Sequence, residues 1–142
     1  MINTIIGAIS QALNTEFGDN YECYMEEIKQ DLKEPCFFIQ CLNPTEELFI
    51  GKKYFRRNQF CIQYFPESKS GPNAECHSVA QCLLDCLKWL PVKDSKVMGR
   101  KMHYEVKDGM LYFFVNYDMF VYKAVEALPV MEEVSIETLA KG

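Results

Sequence analysis

The chain has 142 residues, enough for one domain with a sizeable core, and its 49% hydrophobic and 25% charged content is that of an ordinary globular protein. A formal net charge of −5 disfavours a primary role in binding nucleic acid or anionic lipid, because proteins bind these polyanions through an excess of basic residues. No apolar run reaches membrane-spanning length and no signal-peptide pattern opens the chain, so we expect the protein to stay in the cytoplasm where it is made.

The first predicted element is an amphipathic helix over Ile2–Phe17. Apolar residues recur there every three or four positions and form one stripe, while the opposite face is polar. Gly18-Asp19-Asn20 supplies residues that end a helix and begin a turn. Because the polar face has no basic residue, packing against a sheet is favoured over binding to a membrane.

Three short segments between the helices predict strands. Residues 21–25 form a short candidate, and residues 36–42 a firmer one that Asn43-Pro44 closes. Residues 59–64 alternate between apolar and polar or small side chains, as a strand with two different faces does.

Residues 45–58 are the hardest segment to assign. Apolar and aromatic residues at both ends could form strands, but Gly51-Lys52-Lys53 interrupts the run and Arg56-Arg57 follows. We interpret this segment as a projecting, bent arm.

A second helix is predicted after Gly71-Pro72-Asn73, with either Pro72 as the first helical residue or Asn73 as the cap. One apolar stripe continues from there to a stop at Pro91. Residues 92–98 then predict a weak strand. The stripe consists of Cys76, Val79, Ala80, Leu83, Leu87 and Leu90.

Residues 100–122 predict an antiparallel hairpin around which the rest of the chain is organised. Asp108-Gly109 lies between two extended, aromatic-rich arms, and this pair tolerates the positive φ angles of a two-residue turn. The first arm alternates between apolar and polar side chains, so we expect one of its faces to be exposed to solvent.

The second arm of this hairpin is apolar on both faces. A single small domain can cover one face of a strand more readily than both faces. We therefore expect other copies of the chain to cover the second apolar face of this arm. The strand would also span roughly 45 Å, more than the roughly 37 Å of such a domain, so it either bends near 116–118 or reaches into a neighbouring subunit. One face has Leu111, Phe113, Val115, Met119 and Val121, and the other has Tyr112, Phe114, Phe120 and Tyr122.

The order of elements predicts an α+β fold, a mainly antiparallel β-sheet with two long amphipathic helices packed on one face. We expect residues 1–142 to form a single domain. Its predicted extensions are the arm at 45–58 and a C-terminal tail at 124–142, in which Val134-Ser135-Ile136 is a candidate short edge strand.

The sequence does not predict an enzyme, a metal site or a cofactor. Cys76 and His77 are neighbours on a helix and point about 100° apart, so they cannot form a catalytic pair by themselves. Cys82 and Cys86 lack further ligands for a metal. His103 and Glu105 share a strand face and are more readily a surface pair than an acid and base.

The seven cysteines predict no disulfide framework. Their number is odd, no Cys-x-x-Cys occurs, and most lie in apolar patterns where a free thiol behaves as a small hydrophobic group. We therefore expect reduced thiols, at Cys23, Cys36, Cys41, Cys61, Cys76, Cys82 and Cys86.

A cationic cluster in the arm is either a solvated loop or a contact surface for an acidic partner or for DNA. The aromatic residues around it favour a contact surface, because exposed aromatics mark interfaces. The candidate interface consists of Phe49, Lys52, Lys53, Tyr54, Phe55, Arg56, Arg57, Tyr112, Phe114, Phe120 and Tyr122.

Several of these segments, in this order and spacing, resemble the tail terminator, or tail completion, proteins of long-tailed phages, prophages and phage-like particles of Gram-positive bacteria. They are the amphipathic start, Cys41-Leu-Asn-Pro44, Gly51-Lys-Lys-Tyr-Phe-Arg56, Gln63-Tyr-Phe-Pro66, the helix from Asn73, Met102-His-Tyr-Glu-Val106 and Asp108-Gly-Met-Leu-Tyr-Phe-Phe-Val-Asn-Tyr-Asp-Met-Phe-Val121. The resemblance covers most of the chain.

The resemblance implies a structural protein without catalytic residues. It implies a six-fold ring of this chain that caps the tail tube, stops polymerisation and presents a surface to the head connector. The implied partners are the chain itself, the tail tube protein, the head-tail connector and, for a contractile tail, the sheath protein, with no membrane and no specific nucleic acid. Assembly would take place in the host cytoplasm, and the assembled protein would belong to the particle tail.

The basic arm would then line the lumen, face the tube or bridge to an acidic neighbour, and we rank the contact between subunits first. Other hypotheses remain open. The chain could be another head-tail connector or a tail tube subunit, or a small domain that binds a protein or nucleic acid through the arm. A cysteine-dependent enzyme would require a hyper-reactive thiol at Cys76.

Overall fold

A computed structural model describes residues 2–18, 21–25, 34–67 and 70–123. The predicted C-terminal tail, 124–142, and its candidate strand lie outside the described residues. Within the described part, no helix is long and apolar enough to cross a membrane.

Two helices pack on one face of a mainly antiparallel sheet, as the sequence predicts. Helix α1 spans Ile2–Phe17 and contacts strand β2 (Cys36–Ile50). Helix α2 spans Pro72–Cys86 and contacts strands β6 (Arg100–Lys107) and β7 (Met110–Asn116). Pro72 lies in the first turn of α2, where its missing N–H costs no hydrogen bond. The fold is therefore α+β.

The main sheet has the strand order β1-β2-β3-β7-β6, and β8 also pairs with β3. The pairing of β1 with β2 is parallel and the other pairings are antiparallel. The strands are β1 Glu22–Tyr24, β2 Cys36–Ile50, β3 Lys53–Phe65, β4 Trp89–Val92, β5 Ser95–Met98, β6 Arg100–Lys107, β7 Met110–Asn116 and β8 Met119–Tyr122.

Three predicted boundaries are wrong. Strand β2 continues through Asn43-Pro44 to Ile50, and helix α2 ends at Cys86 rather than before Pro91. The single weak strand predicted at 92–98 is replaced by two strands, β4 and β5. The chain reverses at Lys93 and Asp94, and β4 and β5 form a separate two-stranded sheet. Lys93 has a φ of 55°, a conformation found in tight turns. Because Pro91 lies in a sheet of only two strands, its missing N–H interrupts no central ladder.

The organising hairpin is confirmed in its turn and corrected in its second arm. Asp108 and Gly109 have φ angles of 55° and 72°, which fit a tight hairpin turn. The second arm is not one strand, because Tyr117 and Asp118 separate β7 from β8. The strand is therefore interrupted at 117–118, within the stretch where a bend was predicted.

The core lies between the helices and one face of the sheet. The opposite face has no helix over it in the described part of the chain. The buried core residues of the main sheet are Phe37, Ile39, Phe60, Ile62, Tyr64, Leu111, Phe113 and Val115, those of β4 are Leu90 and Val92, and those of the helices are Ile5, Ile9, Leu13, Cys76, Val79, Ala80 and Leu83.

Gly99 connects β5 to β6 where no side chain fits. A Cβ atom there would lie 2.6 Å from Met102 Cε, 2.7 Å from the Leu87 carbonyl oxygen and 3.0 Å from Val115 Cγ2. The backbone around the Leu87 carbonyl is held in place by the next residue, because the Gly99 N–H donates to the Lys88 carbonyl at 2.7 Å. The backbone must therefore move to admit even one methyl group.

We predict that Gly99→Ala lowers the free energy of unfolding by about 1–3 kcal/mol, the usual effect of overpacking a core. Chemical denaturation measures this. Gly7→Ala is the matched control, because its Cβ meets nothing within 4 Å and alanine favours a helix by about 0.5–1 kcal/mol over glycine. Equal stability of the two variants would contradict the predicted clash.

Candidate interface on the arm

The arm, residues 45–58, consists of the ends of β2 and β3 and the turn between them. Gly51 in the turn has a φ of 56°. Strand β8 lies beside β3, so the arm is the outer part of a three-stranded ribbon. Residues 43–50 are all exposed.

Three hydrogen-bonded residues lie where the arm meets the rest of the sheet. They are Asn58, Tyr117 and Asp118, which we call the waist. The Asn58 N–H donates to Asp118 Oδ1 at 3.2 Å, and the Asn58 side-chain amide donates to the Tyr117 carbonyl at 3.1 Å. The Tyr117 N–H donates to the Asn58 carbonyl at 2.9 Å. These bonds satisfy backbone groups where β3 changes partner from β7 to β8.

Tyr117 also ties the waist to helix α2. Its side chain is fully buried, and its hydroxyl donates to the carbonyl of Leu87, the residue that caps α2, at 2.5 Å. Burial raises the pKa of Tyr117 above its ordinary value. This hydrogen bond therefore connects the waist to the buried end of α2.

We predict that Tyr117→Phe destabilises the protein by about 1–3 kcal/mol, because it leaves the buried Leu87 carbonyl without a partner. Hydrogen exchange at the amides of β8 should be faster. Tyr104→Phe is the control, since the Tyr104 hydroxyl lies 3.2 Å from His77 Nδ1 in an exposed position. Unchanged exchange in β8 of the Tyr117 variant would show that the waist does not hold the arm.

One side of the arm is a cluster of aromatic rings and cations, which we call the aromatic face. The ring centroids of Phe49 and Phe55 lie 5.1 Å and 4.9 Å from that of Phe120. Lys53 Nζ lies 4.3 Å from the Phe120 centroid, 5.5 Å from that of Phe49 and 5.9 Å from that of Tyr122. The face comprises Phe49, Lys53, Phe55, Arg57, Phe120 and Tyr122.

Much of the aromatic face is in contact with solvent. The exposed fractions are 61% for Phe49, 45% for Phe120 and 74% for Tyr122. A groove of about 330 Å³ beside them is lined by Glu47, Leu48, Phe49, Phe55, Arg57 and Phe120. Exposed apolar surface of this kind is typical of interaction sites.

The other side of the arm is held by ion pairs. Glu46 accepts from Arg56 Nε at 2.5 Å and from Lys123 Nζ. Lys123 Nζ also lies 4.6 Å from the centroid of the Tyr54 ring. The hydrogen bonds from Lys123 and then from Arg56 lower the pKa of the Glu46 carboxyl group.

The predicted cationic cluster is therefore divided between two faces. Arg56 pairs with Glu46, whereas Arg57 lies 3.5 Å from Glu47 on the aromatic face and 5.2 Å from the Phe55 centroid. Lys52 is exposed in the turn. Sequence reasoning missed both glutamates, although a hairpin turning at Gly51 would have placed each of them opposite this part of β3.

Tyr112 and Phe114 occupy the same side of the sheet as the aromatic face, but farther from the arm. They pair with Gln63 and Cys61, as Phe120 pairs with Phe55. Both are half-buried, and Phe114 stacks on His103 with 4.8 Å between centroids. The apolar surface that remains uncovered within the described residues is thus concentrated on the arm.

Cys76 and His77 have different surroundings and do not face each other. Cys76 is buried, with Sγ 3.9 Å from the Gly109 carbonyl, whereas His77 faces Tyr104. Among the residues described, no three His, Cys, Asp or Glu side chains form a group that could hold a metal.

Burial raises the pKa of all seven thiols, to about 12 for Cys36 and Cys86 and about 11 for Cys61. A raised pKa leaves less of the reactive thiolate at neutral pH. We therefore predict uniformly slow alkylation of the native protein by iodoacetamide at pH 7.5, followed by mass spectrometry, with fast labelling after denaturation. One thiol labelled much faster than the rest would contradict this and reopen a nucleophilic role.

A family model described as "Phage tail terminator protein" matches residues 4–129. The match covers both helices, the main sheet and the arm. No curated protein matches the chain.

Proposed function

The chain belongs to the phage tail terminator family, and from this premise we propose that it forms a ring of six copies on the finished end of a tail tube. The ring ends tube polymerisation and provides the attachment surface for the head connector. In this role the protein is structural and has no catalytic residues. It assembles in the bacterial cytoplasm and remains in the tail of the particle.

The aromatic face is the surface that we assign to the contact between neighbouring copies. A closed ring repeats one contact head to tail, so each subunit needs a projecting surface that is complementary to a different surface of its neighbour. The exposed Phe49, Phe120 and Tyr122 supply the apolar centre of such a contact. Lys53 and Arg57 supply charges at its edge, which suits an acidic neighbouring surface.

The ion pairs of the arm favour a protein partner over nucleic acid. Phosphate binding relies on lysines and arginines that are free to replace counterions. Arg56 and Arg57 each face a glutamate of β2, and Lys53 lies over aromatic rings. The net charge of −5 also opposes DNA binding outside the arm.

The length of tails in cells that lack the protein tests the proposed termination. We expect tails of extended and variable length in negative-stain electron micrographs, and expression of the intact chain should restore a uniform length. Rings on tube ends should be roughly 5–10 nm wide, from six domains of this size. Tails of normal length without the protein would refute the proposal.

The same cells test the assigned contact. Phe120→Ser removes an exposed ring from the aromatic face and should fail to restore tail length. Trp89→Ser is the matched control, because Trp89 is 52% exposed but lies outside the arm. If Phe120→Ser restores tails as well as the intact chain does, the ring uses another surface and the role in termination still stands.

A further inference from the structure

The arm is a ribbon of three strands that has two free edges among the described residues. Strand β3 lies in the middle, β2 forms one edge and β8 forms the other. No described strand pairs with the outer side of β8, and β1 covers β2 only at residues 36–38. A free edge presents unpaired backbone N–H and C=O groups, to which another strand can bond.

The hydrogen-bond pattern shows which backbone groups lie on the β8 edge. Directly opposite residues of an antiparallel pair alternate between bonded and non-bonded pairs. Lys52 and Lys123 form a bonded pair, because the Lys123 N–H donates to the Lys52 carbonyl at 3.0 Å. The next residue of β8, Tyr122, is therefore in a non-bonded pair, and so is Phe120. The N–H and C=O groups of Phe120 and Tyr122 consequently point away from β3.

The same alternation identifies the outward groups on the β2 edge. Tyr54 and Arg56 of β3 are in the bonded pairs with β8, so their backbone groups do not bond to β2. The β2 residues opposite them are Leu48 and Glu46. The N–H and C=O groups of Leu48 and Glu46 therefore also point away from the ribbon.

Both edges of the arm lack the features that protect another free edge of the sheet. Strand β6 carries three basic residues, and its pairing is irregular at Lys101, which has a φ of 53°. Basic side chains and bulges on an edge strand oppose pairing with another strand. Residues 45–50 and 119–122 include no lysine, arginine or proline, and Leu48 and Ile50 are 60% and 67% exposed. The arm edges are therefore open to a further strand.

The two edges fit each other in a head-to-tail contact. Strands β2 and β8 are both antiparallel to β3, so they run parallel to each other. In a ring that repeats one edge-to-edge contact, every ribbon has the same direction along the axis. The β2 edge of one copy would therefore meet the β8 edge of the next in parallel. In a parallel pair, one residue bonds to the two residues that flank the one opposite it.

We propose that the β2 edge of one arm pairs with the β8 edge of the arm in the next copy, a contact that rests on the proposed ring. Leu48 lies opposite Val121 of the neighbouring copy, because both face Tyr54 within one arm and so have the same level. The Leu48 N–H and C=O bond to the backbone groups of Phe120 and Tyr122 there. The partner that the arm edges recognise is thus a second copy of this chain.

Hydrogen exchange of the unaltered, full-length chain tests this pairing. The monomeric subunit is compared with purified tails by mass spectrometry that resolves single amides. We expect the outward amides of Leu48, Phe120 and Tyr122 to exchange at least about tenfold more slowly in tails. The Val121 amide is the internal control, since it already bonds to β3 in the subunit and should change less. Unchanged exchange at the outward amides would overturn the proposal.

Thiol cross-linking tests the identity and register of the two edges. Tails that contain L48C/V121C are treated with a short bismaleimide and then denatured. We expect a ladder of covalent multimers, because each copy has both edges. L48C/E105C is the matched control, because it has the same native cysteines and Glu105 is exposed on β6. It should stay monomeric. Dimers of L48C alone would indicate pairing of β2 with β2 and would overturn the head-to-tail contact.

These measurements separate the edge pairing from the role in termination. Tails of uniform length whose subunits show neither slowed exchange nor cross-links would overturn the pairing and leave termination intact. Tails of normal length in cells that lack the protein would refute termination. They would not change what exchange and cross-linking report about the contact between copies.

Discussion

The exchange of partners along β3 is the constraint on which the arm depends. Strand β3 pairs with β7 from Gln59 to Tyr64 and with β8 from Lys53 to Arg56, so its ladder is interrupted between these stretches. Buried backbone groups at such an interruption must find other partners. The side chains of Asn58 and Asp118 bond to these backbone groups. On the other side of β3, the pairing with β2 has a register shift between Leu42 and Thr45.

The interruption does not exchange the two sides of the sheet. Strand β3 continues through it, so Lys53, Phe55 and Arg57 stay on the side of Gln59, Cys61 and Gln63. Arg56 lies three positions before Gln59 and Met119 lies three positions after Asn116, so the register of the pairing strand is also preserved. The uncovered side of the sheet therefore runs on into the aromatic face.

Local patterns in the sequence predicted the elements whose cause is local. The two helices follow from apolar periodicity, and the turn at Asp108 and Gly109 follows from φ preferences. The apolar character of both faces of the second hairpin arm follows from its lack of apolar and polar alternation. The side of the strand shared by Tyr112, Phe114, Phe120 and Tyr122 also agrees with the register. These features need no knowledge of distant partners.

The features that the sequence analysis missed depend on residues far apart in the chain. Tyr117 joins the core because a helix end thirty residues away presents a free carbonyl. Glu46 becomes a partner of Arg56 and Lys123 only once β2, β3 and β8 lie side by side. The reversal of the chain at Lys93 and Asp94 depends on the antiparallel pairing of β4 with β5. Tertiary pairing decided each case.

The position of Lys53 limits non-specific contact with the exposed aromatic face. Lys53 lies on β3, the middle strand of the arm, so its charge acts on the face of the ribbon and not at a strand edge. Lys53 Nζ lies over the rings themselves, so a non-specific apolar surface cannot cover the rings without burying an ammonium group. A partner that brings carboxylates together with apolar side chains meets no such penalty. The ammonium group of Lys53 therefore opposes non-specific apolar contact with the aromatic face.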